Sequence, residues 1–376
     1  MYVARPPMGW NSWNTFGENI DESLIRETAD AMVDTGLRDA GYTYLVIDDC
    51  WSQKERGPQG ELRADERKFP NGMKAVADYV HSKGLKFGMY SCDGVLTCAG
   101  YPGSYGHEFQ DARTFAEWGV DFLKYDNCYK TKSMNGELLY RRMSMALKAS
   151  GRDILFSACN WGSEQSWNWM RSAGADMYRS TGDIQDNFES VRNIAESQVD
   201  KLCCSAPGCF NDLDMLVVGM YGKGNVGVGG CNDAEYRSHF AMWCLFGVPL
   251  MIGCDIRNMT PQTASLLLNK ELIAIDQDPE VRPPYVLTGP GTSKVEPMFF
   301  RHLSGGEYAM AGFNLTDKPR DVHFMFTETG LPTDPSVAFE LTDVFTGERV
   351  GVYNEHLCVP IGPHDCAMFR AKLIVR

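Results

Sequence analysis

Basic clusters and a membrane-length apolar run are both missing from this chain of 376 residues. Its 36 Lys and Arg face 49 Asp and Glu, a net charge of −13 with an isoelectric point near 5.1. With no Lys/Arg block either, nucleic acid and anionic membranes are excluded as expected partners, and a neutral ligand suits the surface better. The opening MYVARPPMGWNSW has neither a basic n-region nor an apolar h-region. Either a secretory signal never existed or it has been removed; the initiating Met favours the first, and the expectation is a soluble, cytoplasmic protein. No apolar stretch approaches the ~20 residues of a bilayer span. Histidine is scarce at seven and no C-x-x-C pair occurs, so a zinc site has no support. Thirteen cysteines are too few to staple a chain of this size, and the odd count leaves at least one unpaired. Most read as buried thiols; the vicinal Cys203 and Cys204 have no functional account.

What is present is an alternation. From residue 7 to about 280, eight apolar segments alternate with amphipathic stretches: 7–13, 43–51, 85–93, 120–128, 153–161, 175–183, 211–219 and 248–255. Between them, Leu24, Ile25, Ala29, Met32, Val33 and Leu37 share one helical stripe over 22–38, and Met73, Val76, Ala77 and Val80 another. Gly36, Gly41 and Gly84 fall where helices should stop. Eight strands alternating with helices over ~250 residues is the rhythm of a (β/α)8 TIM barrel. The alternation ends near Asp278-Pro279, and 279–293 reads as a linker. Beyond it, EPMFFRHL, EYAMAGFNL, DVHFMFTE, VAFELTDVF, ERVGVY and CAMFRAKLIV predict a C-terminal antiparallel β-sandwich. The expected domains are 1–280 and 281–376.

In VDFLKYDNC, residues 120–128, an apolar run leads to Lys124 and Asp126, two apart and so on one side of a strand. A lone pair of this kind would be a weak surface contact. Similar polar ends recur, however: Trp10 and Trp13, Asp48 and Asp49, Tyr90 and Asp93, Asn160 and Trp161, Arg179 and Asp183, Asp212 and Asp214, and Asp255. In a parallel barrel these converge on one rim, where active sites sit. Carboxylates, two cations and aromatic rings are what a sugar needs, for its hydroxyls and its C–H face. Singly, Asp48 or Asp49 could be a helix cap and either tryptophan a core residue. A metal reading of the rim lacks the Asp/Asn spacing and bidentate Glu of an oxygen cage, so no metal or other cofactor is expected. Residues 222–227, GKGNVG, match G-x-G-x-x-G, but they follow the seventh strand and no acid stands about 20 residues on. A loop is the expectation.

MGWNSWNTF (8–16), YLVIDDCW (44–51), FGMYSCDG (87–94), CAGYPGS (98–104), VDFLKYDNC (120–128), CNWG (159–162), YRSTGDI (178–184), NDLDML (211–216) and PLMIGCDIR (249–257) resemble, in order and spacing, the motifs of family 27 glycoside hydrolases. These are the α-galactosidases and α-N-acetylgalactosaminidases. The resemblance is close over 5–280 and looser beyond. It implies a retaining double displacement with Asp126 as nucleophile and Asp183 as acid/base. Carboxyls in that role lie about 5–5.5 Å apart. By the same resemblance Asp48 and Asp49 would hold the axial 4-hydroxyl and the 6-hydroxyl, and Lys124 the 3- and 4-hydroxyls. Arg179 would lie near the 2-hydroxyl, while Trp13, Tyr90 and Met215 wall the pocket. Cys98, Trp161 and Asp214 complete the expected substrate contacts. Lys124 beside Asp126 would favour its charged form.

Where relatives often carry Glu at the position contacting the C2 substituent, this chain has Asn160, with Ser163 three further on. Asn can bond a 2-hydroxyl while leaving more room. Glu18 replaces a Cys that in secreted relatives pairs with the Cys of DDCW, so Cys50 is expected to be unpaired. Cys98 and Cys128 match the family's near-site disulfide. Gly182 stands where some relatives have an acid. The resemblance thus implies removal of terminal α-D-galactose from oligosaccharides or glycoconjugates. The alternatives are an α-N-acetylgalactosaminidase, a β-L-arabinopyranosidase, disfavoured by Asp49, and a non-catalytic galactose-binding protein. Nothing in composition fixes the subunit number, and a homo-oligomer is compatible with it.

Overall fold

The computed structural model describes residues 2–130, 133–287, 297–331 and 334–375. Eight short parallel strands form one sheet: β1 (Met8–Asn11), β2 (Tyr44–Val46), β3 (Lys86–Cys92), β4 (Phe122–Asp126), β5 (Leu155–Cys159), β6 (Met177–Arg179), β7 (Phe210–Asp212) and β8 (Leu250–Ile252). Seven fall inside their expected segments, and β7 begins one residue before the expected 211–219. The sheet runs in sequence order from β1 to β7, with β8 beside β1. Leu216, just past β7, closes the ring. Its N–H donates to Met251 O at 2.7 Å, and Gly253 N–H donates back to Leu216 O at 2.9 Å.

Period-two alternation explains both the barrel and its rim. Tyr44, Val46, Phe122, Leu155, Met177, Phe210 and Met251 form an apolar layer of their own, apart from the larger core in which Leu45, Leu123, Phe156 and Tyr178 pack with the helices. Two residues beyond Val46, Phe122, Met177 and Phe210 stand Asp48, Lys124, Arg179 and Asp212. The same alternation that plugs the lumen with apolar side chains therefore stacks charge above the plug.

The helices that follow the strands are α1 (Glu22–Asp34), α2 (Gly72–Ser82), α3 (Glu108–Trp118), α4 (Gly136–Ala149), the single turn α5 (Met170–Ala173), α6 (Phe188–Gln198), α7 (Asp233–Phe246), α8 (Pro261–Leu267) and α9 (Lys270–Asp276). The helix expected over 22–38 is shorter. It stops at Asp34, because Gly36 turns left-handed at φ +82°, and Leu37 begins a separate one-turn helix.

The C-terminal part is an antiparallel sandwich of a six-stranded sheet and a two-stranded one. Its strands are β9 (Tyr285–Val286), β10 (Met298–His302), β11 (Glu307–Phe313), β12 (Arg320–Met325), β13 (Val337–Asp343), β14 (Arg349–Tyr353), β15 (His356–Ile361) and β16 (Cys366–Val375), with β12 and β15 as the small sheet. Two of these were not expected. β9 lies within the stretch read as linker, pairing with Phe299 and Phe300, while residues 288–293 of that stretch and Glu296 lie outside the described residues. β15 contains Pro360, which breaks the strand signal but is tolerated on an edge.

Phe300, Met310, Phe324, Phe339 and Phe369 fill the sandwich, whereas Phe299, Ala311, Phe313 and Met368 join the barrel's own core. Arg301 is fully buried at this seam and donates to the carbonyls of Cys244 (3.1 Å) and Leu245 (3.0 Å) in the last turn of α7. A guanidinium suits the negative end of a helix dipole. The sheet thus secures the helix that follows β7.

Candidate active site

At the C-terminal ends of the strands a cavity of about 240 Å³ is lined by Trp13, Asp48, Asp49, Tyr90, Cys98, Lys124, Asp126, Trp161, Arg179, Asp183, Asp214 and Met215. Trp10, Asp93, Asp212 and Asp255, also expected on the rim, do not line this cavity, but of the residues to which the resemblance gave a catalytic or substrate role all but one are brought together. Asn160 is the exception. It is wholly buried, donates from Nδ2 to Ser163 O at 2.9 Å, and is absent from the cavity wall. The backbone turns left-handed at the next residue, Trp161 (φ 57°), and Trp161 reaches the wall in its place.

Two ion-pair systems organise the wall. Lys124 Nζ donates to Asp48 Oδ2 at 2.7 Å, and Asn11 Nδ2 donates to the same oxygen at 2.7 Å. The Lys124–Asp126 neighbourhood expected from sequence thus resolves differently: the ammonium pairs with Asp48. Burial draws Lys124 down, but the charges of Asp48, Asp126 and other neighbours together more than offset it, and the ammonium is held well above its ordinary value. Asp49 is fixed by backbone, accepting from Cys50 N–H (2.7 Å) and Ala99 N–H (2.9 Å). Burial raises its carboxyl. Neither aspartate caps a helix, and both keep unused lone pairs for hydroxyls.

The second system joins Arg179 to Asp183 and Asp214. Arg179 Nη2 donates to Asp183 Oδ1, while Nη1 stands 3.3 Å from Asp214 Oδ1. Asp214 also accepts from Ile184 N–H at 2.8 Å, anchoring the segment that carries Asp183. Asp212, just below, is pushed up to about 7 by burial and then by the charge of Asp214. Six carboxylates, Asp48, Asp49, Asp126, Asp183, Asp212 and Asp214, crowd two cations here, and that excess of negative charge favours protonation of the buried Asp212.

Asp126 accepts from Tyr90 OH at 3.1 Å and from Asn127 N–H at 3.0 Å. Burial pushes its carboxyl above the ordinary value, against the pull of Lys124 and Arg179. One Asp126 oxygen lies within 4.8 Å of the sulfurs of Cys98 and Cys128. Those two are joined in a disulfide, so among the described residues this one metal-spaced cluster offers a carboxylate and no thiolate. Asp183 differs from Asp126 in exposure: its side chain is 69% accessible, at the mouth. A buried carboxylate and an accessible one across a single cavity can attack and protonate a glycosidic centre from two sides.

Several contributors escaped sequence reading. Asn14, Ile184, Gln185, Asn225 and Val226 also line the cavity, and Asn11 and Asp186 support it without lining it. Asn11 ends a strand as the others do and could have been found by that signal. Asp186 and Asn225 carry no local signature.

Fold and site together define a glycoside hydrolase built on a (β/α)8 barrel. Residues 5–278 match the family model described as alpha galactosidase A, and 297–371 match the alpha galactosidase C-terminal beta sandwich domain. The chain is 44% identical over 368 residues to Alpha-galactosidase 2 of Arabidopsis thaliana, covering 98% of this chain and 89% of that one. Alpha-galactosidase I of Mortierella vinacea superposes with a TM-score of 0.91 at 34% identity, over 98% of this chain and 97% of its own. The Saccharomyces cerevisiae α-galactosidase solved with raffinose gives 0.89 at 30% identity, over 99% and 98% of the two chains. This protein belongs to the α-galactosidase family, family 27 of the glycoside hydrolases.

Proposed function

We propose that this protein hydrolyses terminal α-D-galactosyl residues of oligosaccharides or glycoconjugates with net retention. The observation that carries it is the placing of Asp126 and Asp183 on one cavity whose floor holds the Lys124–Asp48 pair beside Asp49. At about 240 Å³ the cavity is small for a ligand site and suits one sugar ring. The Asp126 carboxylate attacks C1 as Asp183 gives its proton to the glycosidic oxygen, leaving a galactosyl ester on Asp126. Asp183 then takes a proton from water, which attacks C1 and frees Asp126. Tyr90 OH and Asn127 N–H hold the nucleophile in place through both steps.

Selection for the galacto configuration follows from Asp48 and Asp49. Both are 2% exposed and rigidly held, so a sugar that fails to donate to them leaves buried acceptors unpaired, at about 1–3 kcal/mol each. The test is hydrolysis of p-nitrophenyl α-galactoside and of its 2-acetamido analogue, with Asp126→Ala and Asp183→Ala alongside. Preference for the galactoside, diminished in both variants, supports the proposal. Equal or better cleavage of the acetamido substrate would replace it with the N-acetylgalactosaminidase reading.

A further inference from the structure

The glycine-rich segment 222–230, which matches a nucleotide loop in letters, is folded around a buried carboxylate instead. Asp186, with no exposed surface, accepts from Gly222 N–H at 2.7 Å, Cys231 N–H at 3.2 Å and Tyr236 OH at 2.9 Å. Its own backbone pairs with Val226 O (3.0 Å) and Gly230 N–H (2.9 Å). The other edge of the segment is stitched to the stretch after β1, through Asn225 N–H to Thr15 O (3.2 Å) and Val226 N–H to Asn14 O (3.1 Å). Gly224 makes that approach possible: at φ +90°, a Cβ there would come within 2.7 Å of Thr15 Cα. The segment is therefore a fixed wall, tied to the acid/base loop three residues past Asp183.

We propose that this wall forms the leaving-group subsite, in which the carboxamides of Gln185 and Asn225 hold the first sugar of a neutral oligosaccharide. The inference rests on the galactosidase reading above. If the galactosyl ring fills the cavity against Asp48, Asp49 and Asp126, the glycosidic oxygen sits at Asp183 and the leaving group lies at the mouth. Gln185 and Asn225 line that mouth, and neither side chain has a protein partner among the described residues. Carboxamides both donate and accept, as hydroxyls do. Val226 and Ile184 beside them present apolar surface to a ring's C–H face. The cavity's two cations, Lys124 and Arg179, are both engaged by carboxylates, so nothing there selects an anionic leaving group.

The test compares kcat/KM for raffinose with kcat/KM for p-nitrophenyl α-galactoside in wild type, Gln185→Ala, Asn225→Ala and the double variant. Asn193→Ala, in the groove along α6 that also reaches Asp183, is the control. The raffinose-to-aryl ratio should fall about tenfold in the double variant, the worth of one to two lost hydrogen bonds, and stay at the wild-type value in the control. A ratio within about twofold of wild type in the double variant, below what one lost hydrogen bond is worth, would overturn the subsite. So would a fall confined to Asn193→Ala, which would move the leaving group to the α6 groove. A wild type inactive on both substrates would defeat the galactosidase reading itself.

Discussion

Lys124 Nζ reaches across 76 residues of chain to donate to Asp48 Oδ2 at 2.7 Å, both side chains being largely withdrawn from water. The pair holds a hydroxyl-binding carboxylate in place before any sugar arrives. Lys124→Met strands the Asp48 charge and should cost about 3 kcal/mol in urea unfolding, as breaking a buried pair does. Because Lys124 also draws the Asp126 carboxyl down, the acid limb of kcat/KM should move to higher pH in the variant. An unchanged midpoint and limb would mean that the pair does neither.

Asp126 and Asp183 should respond differently to removal. Without Asp126, turnover of every α-galactoside should collapse. Asp183→Ala should cost about 10²–10⁴-fold on a sugar leaving group, which needs protonation, and much less on an activated aryl group, which does not. Equal losses on both substrates would count against Asp183 as the acid.

Asp93 is fully buried with no partner for Oδ2, and burial pushes its carboxyl up to about 7. An unfolded chain ionises this group near 3.9. Between those values the folded form holds the extra proton, so this group's contribution is complete below pH ~4 and lost as pH climbs through 7. Asp93→Asn should flatten that slope, its stability relative to wild type rising from pH 4 to 8. Parallel stability–pH curves for the two proteins would refute the assignment.

The Cys98–Cys128 disulfide clips the loop after β3, whose Ala99 N–H holds Asp49, to the end of β4. Replacing both with Ser opens a separation of 30 residues and should cost about 3–4 kcal/mol. KM for the galactoside should rise more than kcat falls, since Asp49 is a binding group. An unchanged KM would detach the loop from recognition.

The barrel was legible because its strands are buried on both faces and read as short apolar runs ending in charge, as Phe122, Lys124 and Asp126 do. The rim residues followed from the same alternation. What escaped depends on contacts far apart in sequence: Asp186 clamping Gly222, and Lys124 choosing Asp48 over its neighbour Asp126. Asn160 was misplaced because a left-handed turn at Trp161 swings the chain, and β15 because Pro360 hides an edge strand.

The most direct test of the central claim is peptide mapping by mass spectrometry after incubation with an activated 2-deoxy-2-fluoro α-galactoside, whose glycosyl-enzyme forms faster than it clears. The account requires one fluorogalactosyl group per chain, on Asp126, whose formation is slowed by galactose present as a competitor. A label on another residue, or unlabelled enzyme whose first product from the ordinary substrate is β-galactose, would contradict it.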